Sequence, residues 1–174
     1  MAYYYVFGAA TLSVLIGCSG VRVLDRTDGD EVSIVVDTSR SLGSMISSGK
    51  YDWVHPDITA EHFPAGNASW RRLNIKLISF RRDMQPYEVL YELRRLNLRA
   101  ATLPELLALG EARPDLQKSH SIVGLESIWK DDFGDRWFPQ LDYDFNRRNL
   151  DLQPINFAMF DKNYRFAAVE RQLN

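Results

Sequence analysis

The chain has 174 residues, 45% hydrophobic and 25% charged, with a formal net charge of −2 and a single cysteine. That is apolar material for one good core, and one thiol excludes both an internal disulfide framework and the usual Cys/His zinc spacings. A near-neutral balance argues against a nucleic-acid partner; the eight Lys/Arg against three Asp/Glu in residues 71–99 read as a solvated basic face.

Residues 2–18 (AYYYVFGAATLSVLIGC) carry no charge, and three readings stand side by side. Leu15-Ile16-Gly17-Cys18 is similar to a lipobox, which makes Cys18 the lipidation site, although the n-region lacks the Lys or Arg of a signal peptide. Seventeen apolar residues also sit at the lower limit for a membrane span. The third reading is a buried hairpin, Tyr3–Phe7 and Leu12–Ile16 about Gly8, which the aromatic and β-branched content allows. The lipid reading favours the cell envelope over the cytoplasm, with membrane contact only through the anchor.

Residues 19–31 read as a polar connector with a turn at Asp28-Gly29, and Val32–Val36 as a strand. Thr38 or Ser39 caps a helix over Leu42–Ser48 that faces Leu42, Met45 and Ile46 inward and ends at Gly49. Tyr51, Trp53 and Val54 alternate until Pro56; Asp57 caps a further turn through Phe63. Asn67-Ala68-Ser69 has the pattern of a glycosylation sequon.

The most informative stretch runs from Asn74 to Leu109. Ile75, Leu77 and Phe80 interleave with Lys76 and Ser79 as in a half-buried strand. Gln85-Pro86 opens a helix whose apolar stripe is Tyr87, Leu90, Tyr91, Leu93 and Leu96. Thr102, Pro104 and Glu105 make a capping box for a second helix with Leu103, Leu106, Leu107 and Leu109 inward and Gly110 as its stop. On this reading, truncating Glu105 costs a cap, about 1 kcal/mol or less. Four strands follow, Ser121–Ile128, Arg136–Leu141, Leu150–Ile155 and Arg165–Val169, the largest turn being Trp129–Asp135. The order predicts an α+β fold with an antiparallel sheet and two consecutive helices. It divides as the apolar segment 1–18, an N-terminal αβ extension 19–70 and a main domain 71–174.

That order resembles the C-type lectin-like fold, in which strand, helix, helix and meander close with the last strand on the first. Local sequence is similar to the bacterial branch of that fold, the retroelement-diversified variable proteins and formylglycine-generating-enzyme-like domains. Ala101–Leu106 matches the segment opening the second helix, Gly124–Trp129 the strand after it, and Tyr164–Val169 the closing strand. Gly49–Trp53 and Asp57–Phe63 match a "GKYDW…DIT…F" segment shared by a group of short bacterial proteins. The resemblance implies strand pairing between Asn74–Phe80 and Arg165–Val169. Activity does not come with the fold. Gln153-Pro154-Ile155-Asn156 comes near a lectin calcium triplet but has Ile155 where a ligand belongs, and formylglycine chemistry needs reactive cysteines that residues 19–174 lack.

No catalytic, cofactor or metal site emerges from the residues. Asp142–Asn146 begins like an EF-hand loop, but Arg147 and Gln153 replace its glycine and bidentate glutamate. His55, His62 and His120 lack ligand spacing, and no nucleophile elbow or phosphate loop appears. What remains is aromatic and arginine content in the C-terminal turns. Phe133, Tyr143, Phe145, Arg147 and Arg148 are the candidate ligand-binding residues, with Trp129, Trp137 and Tyr164 assigned to the core. The expected function is a non-enzymatic module binding a protein or glycan, the alternative an assembly subunit with an inserting N-terminus.

Overall fold

The computed structural model describes residues 26–64 and 66–171, so the segment 2–18 and Cys18 lie outside the described residues. In chain order these form β1 (Arg26–Asp37), α1 (Leu42–Gly49), β2 (Trp53–Val54), β3 (Trp70–Phe80), α2 (Pro86–Arg95), β4 (Leu98–Ala100) and α3 (Leu103–Ala112). There follow β5 (Ser121–Val123), β6 (Trp129–Lys130), β7 (Arg136–Asp144), β8 (Arg147–Pro154) and β9 (Tyr164–Glu170). The strands join one sheet in the order β1-β3-β9-β5-β7-β8-β2, with β4 added to β9 and β6 to β7. The protein is α+β.

β9 is the strand on which the sheet closes. Its Phe166–Ala168 pairs antiparallel with Lys76–Ile78 of β3, while β5 and β4 share its other edge in tandem. The expected pairing of the central strand with the last one is therefore present. The sheet is not purely antiparallel, however: β5 runs parallel to β9 and β2 parallel to β8. Both parallel partners are reached through long excursions of chain, as parallel pairing requires. Nor are the two central helices consecutive. The chain turns at Asn97, in the left-handed region (φ 57), and lays β4 on the sheet before α3 begins.

Side-chain alternation explains why the sheet carries helices on both faces. Ile75 and Leu77 of β3, Ala167 and Val169 of β9, Ile122 and Leu141 pack with α1 and α3. The intervening Ile78, Phe80, Phe166, Ala168, Val123 and Phe138 pack with Val89 and Leu93 of α2. Leu77–Phe80 is thus buried without interruption, whereas the sequence suggested a half-buried strand: a sheet covered on both faces reads as a continuous apolar run. β1 pairs with β3 along Val32–Asp37, and its Val32, Ile34 and Val36 join the same cluster as α3. Asp28-Gly29 lies within β1, and the register between Asp28 and Glu31 shifts there.

Local chemistry sets the helix boundaries. The α1 cap is Ser41, whose hydroxyl accepts from the Ser44 N–H, and Lys50 ends the helix in a left-handed conformation (φ 50). The inward face of α2 is Pro86, Val89 and Leu93, leaving Tyr87 and Tyr91 exposed; Arg95 lies over the Tyr91 ring at 6.0 Å. The Thr102/Glu105 capping box forms as expected, but Glu105 is more than a cap. Its fully buried carboxylate accepts from Arg99 at 2.6 and 2.7 Å, from Arg71 at 2.7 Å and from the Thr102 N–H at 2.8 Å. Burial pushes this carboxyl up; the Arg99 guanidinium, the Thr102 N–H and the Arg71 charge outweigh it and bring it below the ordinary Glu value.

The expected cost of removing Glu105 therefore rises. Glu105→Gln leaves two guanidinium groups facing a neutral amide and should lower stability by about 2–3 kcal/mol near neutral pH, measured by denaturant titration. A lowered folded pKa contributes stability above the ordinary Glu range and loses it as pH falls through the lowered value. The gap between wild type and Glu105→Gln should close in acid; a gap independent of pH would contradict the ion-pair account.

Candidate functional site

A two-residue strand places the first half of the site. β2 lies along the edge of β8, with Trp53 opposite Asn149 and Val54 opposite Leu150, and the His55 N–H continues the pairing by donating to the Leu150 carbonyl at 2.9 Å. Because the two strands are parallel, the chain leaving β2 travels toward Pro154, the residue opposite Trp137 at the start of β7. Residues 55–63 therefore arrive beside the β6–β7 hairpin. Ile58 and Phe63 anchor that turn in the core, and the His62 Nδ1–H donates to the Asp57 carbonyl at 2.9 Å. This holds the imidazole flat on Trp129, with centroids 4.3 Å apart and planes inclined by 13°.

The second half is the loop from Asp131 to Asp135. The Asp131 carboxylate accepts the N–H groups of Phe133 (3.0 Å) and Asp135 (2.9 Å), and the Trp137 indole N–H at 2.9 Å. The indole N–H above all, aided by the loop N–H groups, holds this carboxyl below its ordinary value. Gly134 takes φ +91, a conformation that favours glycine. One carboxylate thus ties the loop to the hairpin and leaves Phe133 at its tip, 94% exposed.

Turn and loop enclose an open cleft of about 670 Å³, within the range of small-ligand sites, lined by His55, Asp57, Glu61, Asp132, Phe133 and Trp137 among others. Trp129 and Trp137, with ring centroids 6.5 Å apart, do not belong wholly to the core. Each is half-buried against it and lines the cleft as well. A second groove of about 400 Å³ is lined by Tyr87, Leu90, Ile155, Phe157 and Met159, with Arg136 of β7 at its wall. The Asn156 amide joins the two by donating to Asp135 at 3.1 Å. Phe157 is 84% exposed.

The five residues selected from sequence do not meet. Phe133 lies before β7, whereas Tyr143, Phe145, Arg147 and Arg148 cluster at its other end; the nine residues of β7 span roughly 30 Å. At that far end Phe145 and Asn146 both take positive φ (44 and 62), the two-residue hairpin geometry that favours Asn-Gly. A bulky Phe145 there costs about 1–2 kcal/mol. Arg147 is exposed, and the Tyr143 ring receives Lys118 at 5.9 Å.

Arg148 is not a surface donor. Its guanidinium donates to the Gly49 carbonyl (2.7 Å), the Gly110 carbonyl (2.9 Å) and Gln117 Oε1 (2.8 and 3.1 Å), and lies over the Tyr51 ring at 5.1 Å. It is half-buried where the last turns of α1 and α3 meet β8. Tyr51 fills the space between Gly49 and Gly110, and a Cβ on either glycine would run into its ring. Gly110 is accordingly not a helix stop: α3 continues to Ala112, and the glycine answers the close approach of Tyr51. Burial, first of all, pushes the Tyr51 phenol well above its usual range.

Sequence reasoning did not join His55, Asp57, Glu61 and His62 to Trp129, because the placement depends on β2, too short to show a period. The acidic turn is likewise engaged with its own backbone; among the described residues no group of three or more His, Cys, Asp or Glu is placed to hold a metal ion. No family model, curated protein or solved structure matches the chain.

The Arg148 contacts yield a direct test. Arg148→Ala should leave the Gly49 and Gly110 carbonyls and Gln117 short of donors and lower stability by about 3 kcal/mol, while Arg147→Ala should change it by about 0.5 kcal/mol or less. Thermal melts compare the two; equal losses would contradict the assignment.

Proposed function

We propose that the protein is a non-catalytic binding module of C-type lectin-like fold whose ligand, a protein or glycan, docks at the end of the sheet where β7 begins. The observation that carries this reading is the placement of exposed aromatics. Phe133 projects from the tip of the hydrogen-bonded loop and Phe157 from the segment tied to that loop through Asn156, beside a cleft walled by two tryptophans and a groove lined by Leu90 and Ile155. Exposed apolar surface gathered in this way, with polar groups at its rim, is what recognition surfaces present. Rigid support lowers the entropic cost of binding, and the Asp131 ties supply that rigidity.

The lectin-like part of the proposal rests on the chain order, on the pairing of β3 with β9, and on the motifs at Ala101–Leu106 and Tyr164–Val169. The parallel pairs and the intervening β4 are its departures. An envelope tether at Cys18 belongs to the same proposal and rests on Leu15–Cys18 alone. The second groove also favours an assembly subunit, in which another copy of the chain covers Phe157 and Met159; such a protein would sediment as an oligomer.

Peptide and glycan arrays probed with labelled protein test the proposal. Phe133→Ala should weaken capture of whatever ligand is found by about thirtyfold, the equivalent of an aromatic anchor of about 2 kcal/mol, without lowering the melting temperature. Phe145→Ala, at the far end, should capture normally. Loss of capture with Phe145→Ala alone would move the site to the other hairpin, and turnover of a captured ligand would contradict a purely binding role.

A further inference from the structure

We infer that the cleft between residues 55–63 and the 131–135 loop takes a cationic side chain, the guanidinium or ammonium group of a basic peptide segment. The inference rests on the proposed binding role and names its ligand. Aromatic walls establish a place to bind, and the charges around them decide what binds. Asp57, Glu61, Asp131 and Asp132 line the cleft against Lys130 alone among Lys and Arg, a formal −3 from these five groups, with His55 Nδ1 3.7 Å from the Asp57 carboxylate. Asp131 is committed to the loop N–H groups and the Trp137 indole, yet its negative charge stays at the cleft wall. Asp57, Glu61 and Asp132 complete the acidic rim.

An anion would meet this field unfavourably, and a neutral ring would make no use of the Glu61 and Asp132 charges at the rim. A cation satisfies both features, because the faces of Trp and Phe attract positive charge and carboxylates pair with guanidinium through two parallel hydrogen bonds. His62 already occupies one face of Trp129, which leaves Trp137 and the exposed Phe133 as the aromatic surfaces for the incoming group. The protein makes the same pairing internally, with Arg148 over Tyr51 at 5.1 Å and Arg95 over Tyr91 at 6.0 Å. A volume of about 670 Å³ holds more than one such side chain, so a short basic segment fits better than a lone cation.

Indole N–H signals of ¹⁵N-tryptophan-labelled protein provide the test, since Trp129 and Trp137 line the cleft while exposed Trp70 lies on β3 and serves as internal control. The probes are a tetra-arginine peptide, a neutral β-linked trisaccharide and a tetra-glutamate peptide. Tetra-arginine should shift the Trp129 and Trp137 signals and leave Trp70 in place. Glu61→Gln combined with Asp132→Asn should weaken that binding roughly fivefold to tenfold, as rim charges do, and added salt should weaken it further. If the trisaccharide shifts the two indoles and tetra-arginine does not, the cationic assignment is overturned while the cleft remains a binding site. If tetra-arginine binds the neutralised variant as tightly as wild type, the carboxylates do not recognise it and the assignment falls. If none of the probes moves either indole, this assignment fails; the array measurement with Phe133→Ala then decides separately whether the cleft binds anything.

Discussion

The Arg148 guanidinium binds the last turns of α1 and α3 to the edge of the sheet, and the position of the cleft depends on that connection. Helix C-termini leave carbonyls without intrahelical partners, and here the Gly49 carbonyl of α1 and the Gly110 carbonyl of α3 find the same side chain. Two close glycines let Tyr51 sit against it. With α1 fixed, the chain can enter β2 only along β8, supported by Asp52, whose N–H donates to the Arg148 carbonyl and whose carboxylate accepts the Arg148 N–H at 2.8 Å. The direction of β2 then carries His55 and His62 to the tryptophans. Breaking the Arg148 contacts would release the turn that forms one wall of the cleft, not merely subtract local stability.

The two ends of the long β7–β8 hairpin have different physical characters. At the β8 start Arg148 is half-buried among carbonyls, Lys118 lies over Tyr143 and the Tyr143 hydroxyl bonds Asn146 at 2.6 Å, while Phe145 and Arg147 stay exposed on a turn with no cleft beside them among the cavities described. At the β7 start the polar groups are used to stiffen the backbone, and the apolar rings remain at the surface. A loop whose N–H groups are tied to its own Asp131 presents Phe133 in one orientation. Rigid presentation beside a concave aromatic surface links the packing of this region to the proposed recognition role.

Local rules carried the sequence reading far where the determining contacts are local. The Thr102/Glu105 box is legible because three residues suffice to write it, and β3 because its alternation persists over several residues. Long-range contacts set the limits. Glu105 draws Arg71 from 34 residues away, so a cap became a buried ion-pair centre without any local sign. Arg148 sits beside a turn and resembles a surface residue in sequence; only the fold brings the ends of two helices onto it. Tyr87 and Tyr91 match the helical period as well as Val89 does, and the period alone does not say which stripe faces inward. The exposure of Phe133 was legible from its turn, but its separation from Tyr143 and Phe145 follows from β7 running unbroken between them.

The central claim is that the 55–63 turn and the β6–β7 hairpin meet as one preformed cleft. The most direct measurement is the proton chemical shift of the His62 imidazole in solution. Stacked at 4.3 Å on the Trp129 indole, its ring protons should resonate well upfield of free histidine and return toward that position in Trp129→Leu. His62 shifts at the free-histidine position in the folded wild-type protein, unaffected by Trp129→Leu, would contradict the account.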